Sequence, residues 1–468
     1  MSGEYKLLIG GKLVDGDSTM NVLNPATETR IATCPRGSAR QLNEAVAAAK
    51  KAFPKWAATT MDERRRVLVR VADAVESRRE EMARLLTSEQ GKPLGEAQGE
   101  VDLTAAFFRH AALLNLDPKI LEDSDARRVE LHRRPLGVIA GIIPWNFPLM
   151  IMAFKVPLAL LAGNTIVVKP AATTPLATLM FGALIATIVP AGVVNIVTDA
   201  NDLGNVLTSH PDVAKVAFTG SSATGLKVLG NVAKSMKRFT LELGGNDPGI
   251  VLQDAIPKDV APGIFQGAFF NSGQVCLALK RLYVHESQYD EMCEELGKLA
   301  RDAVLGDGLQ QGTVVGPLQN AMQYEKVKTY LNDAHANGKI VAGGNVPDRP
   351  GYFIQPTIVK DMEEGTKLVD EEQFGPILPV LKYKTLDEAI ARANASEYGL
   401  GASVWSSDRT RAKEVALKLE AGTVFINKHA DIAPHIPQAG AKGSGLGVEI
   451  GEEGLLEYTQ VQVLNEAL

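Results

Sequence analysis

Gly137-Val-Ile-Ala-Gly-Ile-Ile143, then Leu149-Met-Ile-Met-Ala-Phe-Lys-Val-Pro-Leu-Ala-Leu-Leu-Ala162, then Thr165-Ile-Val-Val168 is the stretch that decides the fold. The outer two runs are short, apolar and rich in β-branched residues, so they read as strands buried on both faces. The middle run has the length of a helix. Lys155, Pro157, Gly163 and Asn164 interrupt the apolar span 149–168, which falls short of the roughly 18–20 uninterrupted residues that a membrane crossing needs. The alternation continues with predicted helices at 175–189 and 202–210 and predicted strands at 193–197 and 215–218. Such strands separated by helices specify a parallel sheet covered on both faces, a doubly wound domain of the dinucleotide-binding type.

Working outward, Gly10-Gly11 between apolar residues predicts a hairpin. Ser38 with Gln41, and Thr60 with Glu63, are capping boxes. The first opens a helix with Leu42, Val46, Ala49 and Phe53 on one face. The second opens one longer helix carrying Val67, Val71, Val75 and Met82, ending near Gly91. After Gly244-Gly245 a second alternating series begins: strand 279–285, helix 288–303, a helix from Thr385 capped by Glu388, helix 409–419 and strand 423–427. Residues 127–133 and 460–464 read as strands outside both domains, and exposed strands of that kind invite pairing with another subunit.

A chain of 468 residues predicts two to three domains. With 45% apolar and 22% charged residues and a net charge of -6, it is of the water-soluble globular type. It offers no basic field for nucleic acid or an anionic membrane. Arg64-Arg65-Arg66 and Arg133-Arg134 are short and read as solvated faces. Three cysteines, Cys34, Cys276 and Cys293, make no disulfide framework and point to a reducing, cytoplasmic compartment. The opening Met1-Ser-Gly-Glu-Tyr-Lys has no apolar core of an export signal, and no metal site is expected.

Three constellations carry chemistry. In Asn271-Ser-Gly-Gln-Val-Cys276, small residues before a cysteine permit close backbone approach, and a helix start nearby would lower the thiol pKa. Most free cysteines are small buried hydrophobes, and Cys34 and Cys293 keep that reading. In Thr240-Leu-Glu242-Leu-Gly-Gly245, a carboxylate at the end of an apolar run is costly to bury, and burial would raise its pKa into the range of a general base. The bland alternative is a strand-end carboxylate reaching solvent. In Pro144-Trp145-Asn146-Phe147-Pro148, prolines and aromatics fix one neutral amide that could donate to an oxyanion. Read alone, that segment is an ordinary turn.

Taken together with 218–221 (Phe-Thr-Gly-Ser) and Glu372-Gln-Phe-Gly-Pro376, these motifs resemble the aldehyde dehydrogenase superfamily, in its order and spacing over essentially the whole chain. The resemblance implies a fold of two doubly wound α/β domains plus a small β oligomerisation extension. Residues 1–117 and 137–244 would form a Rossmann-like cofactor domain, and 245–443 the catalytic domain. Residues 118–136 and 444–468 would be oligomerisation or bridging segments of a homodimer or homotetramer. It also implies that Cys276 attacks the aldehyde, that Asn146 and the Cys276 N–H hold the oxyanion, and that Glu242 activates water against the thioester to release a free acid. Lys155 would position groups behind the site. For an NAD or NADP cofactor, Lys169 and Ala172 would sit by the adenosine ribose, Phe218, Gly220 and Ser221 near the pyrophosphate, and Glu372 on the nicotinamide ribose. Trp145, Gly244 and Phe374 would line the path.

Three positions depart from the family's familiar pattern. Ala172 stands where a ribose-binding glutamate is common, which leaves NADP open with Lys169 as a counter-charge. Gln460 replaces a glutamate proposed to relay protons. Gln438 and Ala439 replace Phe and Gly at the substrate mouth. The loop 427–437, with His429, Asp431 and His435, reads as an exposed polar loop. Apolar surface after Asn146 and around Phe269 and Phe270 favours an apolar or aromatic aldehyde. The competing expectations are a semialdehyde dehydrogenase, a thioester hydrolase without redox chemistry, and a catalytically silent binding protein on the same fold.

Overall fold

The computed structural model describes residues 5–468; residues 1–4, part of the segment read for an export signal, lie outside the described residues. The central stretch forms the strand Val138–Ile142, the helix Pro148–Leu161 and the strand Thr165–Lys169. Every residue of that helix is buried. This explains why it shows no polar stripe: it has no face turned to water. An eight-stranded sheet runs in the order Lys12–Val14, Leu7–Ile9, Val194–Ile196, Thr165–Lys169, Val138–Ile142, Val213–Thr219, Arg238–Glu242, Gly445–Leu446. Its central strands are parallel. From Val138–Ile142 the chain steps in one direction along the sheet and then crosses back to Val213–Thr219 on the other side. The crevice at the carboxyl ends of those two strands is therefore a topological switch point, where open α/β sheets take ligands.

A seven-stranded sheet follows in the order Lys339–Ala342, Thr357–Lys360, Ile377–Tyr383, Leu279–His285, Asp247–Val251, Gly401–Trp405, Thr423–Ile426, parallel except at its first strand. The segment 444–468 divides: Gly445–Leu446 pairs with Leu241 and Glu242 of the first sheet, and Thr459–Ala467 pairs antiparallel with Arg127–Pro135 in a three-stranded outer sheet completed by Lys119–Asp123. Both exposed-strand expectations thus meet within one chain, and Val461, Val463 and Leu464 stay about half exposed.

Both capping boxes form, at Ser38 and Thr60. The long helix expected over 60–91 is instead two helices, Met61–Ser77 and Arg79–Gln90, broken at Arg78 (φ -118°, ψ 20°). Val75 and Met82 lie on either side of the break and bury into one core, so the apolar spacing runs through it without a sign. Gly91 closes the second helix in the left-handed region, φ 102°. No helix among the described residues is long and apolar enough to cross a membrane.

Candidate active site

Strand ends of the first sheet deliver one wall of the site. Trp145 and Asn146 follow Val138–Ile142, Lys169 ends Thr165–Lys169, Gly220 and Ser221 follow Val213–Thr219, and Glu242 ends Arg238–Glu242. Facing them, Cys276 lies in the turn between the helix Pro257–Phe269 and the strand Leu279–His285, and Glu372 and Phe374 precede Ile377–Tyr383. A cleft of about 1030 Å³ runs between the walls and is lined by Trp145, Asn146, Lys169, Phe218, Gly220, Ser221, Gly244, Cys276, Glu372 and Phe374. Glu242 and Lys155 sit behind this surface, and Ala171 rather than Ala172 is on the wall.

The Cys276 turn is held tightly. Asn271 (φ 49°), Ser272 (φ 57°) and Gly273 (φ 72°) are three successive left-handed residues, and a non-glycine residue there costs about 1–3 kcal/mol. A Cβ on Gly273 would lie 2.3 Å from the Gly375 carbonyl oxygen. The strain is offset by hydrogen bonds: Asn271 Nδ2 donates to the Asn146 carbonyl at 3.1 Å, Ser272 Oγ to that of Gly316 at 2.9 Å, and Gln274 Nε2 to that of Asn271 at 3.0 Å. Lys280 Nζ donates to the carbonyls of Val275 (2.9 Å) and Cys276 (2.6 Å). Asn146 Nδ2 donates to the Gln274 carbonyl at 3.0 Å, which leaves its second N–H free for a ligand.

Cys276 is not at a helix start, so the dipole expected from the sequence is missing. Burial pushes its thiol up to about 12, with Lys280 pulling down and Glu242, Glu372 and Asp247 adding to the rise. Glu242 is 4% exposed, and neither carboxylate oxygen has a hydrogen-bond partner among the described residues. Burial raises its pKa well above the ordinary carboxylate value; Glu449 adds to that rise and Lys155 opposes it. Lys155 Nζ donates to Glu449 at 2.7 Å and to Thr219 Oγ1 at 2.9 Å, with both charged side chains fully buried. Sequence reasoning missed Glu449 and looked to position 460. Gln460 instead lies exposed in the outer sheet opposite Arg134. The signal for Glu449 was its place between turn glycines in Gly445-Leu-Gly-Val-Glu-Ile-Gly451.

Two further expectations change. Lys169 is no free counter-charge, because its ammonium pairs with buried Asp199 at 2.6 Å. The loop 427–437 is only partly polar surface. Asp431 pairs with Lys428, and His435 is exposed with its ring 6.2 Å from that of His110. The His429 ring, however, is fully buried, 3.7 Å from the Asp247 carboxylate.

The cleft fits a dinucleotide. The helix Ser222–Ala233, capped by Ser221, opens at its wall and presents free N–H groups to an anion. A Cβ at Gly244 would lie 2.4 Å from Glu372 Oε2, so a larger residue there would have to push the Glu372 carboxylate aside. Glu372 Oε1 in turn accepts the Gly245 N–H at 3.0 Å, and Trp145 meets Phe374 edge to face at 5.4 Å.

Residues 13–464 match the aldehyde dehydrogenase family. Phenylacetaldehyde dehydrogenase of Pseudomonas fluorescens is 39% identical over 98% of this chain and 95% of its own length. The NADP(+)-linked succinate-semialdehyde dehydrogenase GabD of Escherichia coli K12 is 37% identical over 98% and 96%. An aldehyde dehydrogenase from Bacillus cereus, solved as its NAD+ complex, superposes with a TM-score of 0.97 at 36% identity, covering 100% of this chain and 97% of its own. A doubly wound cleft that fits a dinucleotide and agreement of this extent lead to one assignment: the chain belongs to the aldehyde dehydrogenase family and is an NAD(P)-dependent aldehyde dehydrogenase.

Proposed function

We propose that the enzyme oxidises an apolar or aromatic aldehyde to the free acid through a covalent thioester on Cys276. The observation that carries this reading is the partly exposed Cys276 and the Asn146 amide on facing walls of one cleft, with an unpartnered, high-pKa Glu242 behind the lining. Cys276 Sγ bonds to the aldehyde carbon while its proton passes to Glu242. The free N–H of Asn146 and the Cys276 backbone N–H stabilise the oxygen that gains charge. When bound, the nicotinamide accepts the hydride that leaves that carbon. Glu242 releases the proton it took from Cys276 to solvent, and its carboxylate then takes a proton from water, whose oxygen attacks the thioester and expels the Cys276 thiolate. Lys155 and Glu449 hold the ion pair beside Glu242. Glu372, the Phe218–Thr219 strand end and Ser221 would hold the cofactor, while Trp145 and Phe374 exclude water from its path.

The substrate reading rests on the phenylacetaldehyde relative. The succinate-semialdehyde relative makes a charged semialdehyde the second reading. NAD(P)H formation followed at 340 nm, with a panel of aldehydes against both cofactors, tests the proposal. Turnover of charged semialdehydes alone would overturn the first reading. Absence of NAD(P)H with every aldehyde would overturn both. Three unpaired cysteines suit a reducing, cytoplasmic setting, and the half-exposed outer sheet suits a homo-oligomer.

A further inference from the structure

Lys92 is buried (1% exposed) in the turn between the helices Arg79–Gln90 and Leu94–Ala111, and no step above uses it. Its ammonium donates to Glu100 Oε2 at 2.5 Å and to the backbone carbonyl of Asn146 at 2.9 Å, and lies 3.7 Å from the centre of the Phe147 ring. The other oxygen of Glu100 accepts the N–H groups of Leu149 (2.9 Å) and Met150 (3.2 Å), in the first turn of Pro148–Leu161. One ion pair thus grips the chain directly after the Asn146 side chain, from the Asn146 carbonyl to the first turn of the following helix. One helical turn earlier, on the same face as Glu100, Glu96 Oε2 accepts the Asn271 N–H at 3.0 Å. Asn271 is the residue whose amide also bonds the Asn146 carbonyl.

Stability alone gives little reason for such an arrangement, because desolvation cancels most of the gain from a buried ion pair and apolar residues would serve as well. Apolar residues could not supply directed contacts to a carbonyl and two N–H groups. We propose that Lys92 and Glu100 are positioning residues: they fix the Asn146 peptide so that its side-chain amide faces Cys276, and Glu96 ties the Cys276 turn to the same support. This rests on the reading of Asn146 as an oxyanion donor.

The test is a mutant cycle in the full-length enzyme. Lys92→Met with Glu100→Gln removes both charges at similar volume; it is made in the parent and in an Asn146→Ala background. Rapid-mixing NAD(P)H formation, KM, cofactor affinity and thermal unfolding are measured for each. In the parent the double change is expected to lower kcat about 100-fold, the scale of a small misplacement of a reacting group. KM and cofactor affinity are expected to stay within about twofold, because the contacts aim at the oxyanion and not at ground-state binding. In the Asn146→Ala background the same change should lower kcat no further. If the double variant does not fold, Glu100→Gln alone decides, with an expected loss of about tenfold that again vanishes once Asn146 is Ala. A folded variant with parental kcat, or losses that multiply independently of Asn146→Ala, overturns the proposal. An Asn146→Ala enzyme with parental kcat overturns the oxyanion reading itself, and the positioning role with it.

Discussion

Lys155 gives its ammonium to Glu449 at 2.7 Å, and the neighbouring Glu242 carboxylate is left buried with no hydrogen bond among the described residues. A base in that state is protonated until the pH passes its raised pKa. The kcat/KM profile should therefore show a rising limb centred above the ordinary glutamate value of about 4.3. Glu449 raises the Glu242 pKa and Lys155 lowers it, so Glu449→Gln should move the limb to lower pH and Lys155→Met to higher pH. A limb that ignores both changes would assign it to another group.

Glu242→Gln keeps the shape of the side chain and removes the base. Mixing this variant with aldehyde and cofactor should give one burst of NAD(P)H per active site, slower than the parent's because Cys276 must then lose its proton to solvent, and afterwards a steady rate lower by at least about 100-fold, the lower range of what a general base contributes. Acyl-Cys276 should accumulate and be visible by mass spectrometry of the quenched protein. Steady rates equal to the parent would remove Glu242 from the hydrolytic step.

Cys276→Ala should abolish dehydrogenase activity and leave cofactor affinity nearly unchanged. The parent thiol, pushed up to about 12 by burial, should also react slowly with iodoacetamide at neutral pH, because the thiolate is the reactive form. A rate at least tenfold below that of free cysteine, whose pKa is about 8.5, is expected in the free enzyme. Fast alkylation would show that another group lowers the resting pKa.

Asp199→Ala strands the ammonium of Lys169 in a site where that side chain is 7% exposed and Asp199 is fully buried. Removing one partner of a buried pair costs about 3–5 kcal/mol, so the urea midpoint should fall markedly. An unchanged midpoint would mean that Lys169 finds a new partner or water.

Val461 and Val463 share one face of Thr459–Ala467 and are about half exposed. Replacing both with lysine should blunt this surface and shift the sedimentation profile to a smaller species, with the monomer fold kept by circular dichroism. An unaltered profile would place subunit contacts elsewhere.

The sequence carried the alternation of buried strands and helices because a doubly covered parallel sheet leaves an unmistakable apolar pattern. Capping boxes at Ser38 and Thr60 were legible because they are local. What it hid was of two kinds. A break at Arg78 leaves no trace when both flanking helices bury into the same core. Long-range polar pairing leaves none either. Nothing near Lys155 points to Glu449, nothing near Lys169 makes Asp199 its partner, and Lys92 reads as an ordinary turn residue until Asn146 is placed above it. The thiol of Cys276 was misjudged because its setting is made first by burial, and then by Lys280 and by acids brought in from elsewhere in the chain.

The return of Gly445–Leu446 to the first sheet bears on how the chain matures. A nascent polypeptide that has emerged only as far as Gly244 lacks the strand that covers Leu241 and Glu242, and its Lys155 must wait for a partner 294 residues downstream. The amino-terminal half cannot close around its own charge until the chain has been made through Glu449. Severing the gene between the two sheets should thus yield fragments that fold only in each other's company.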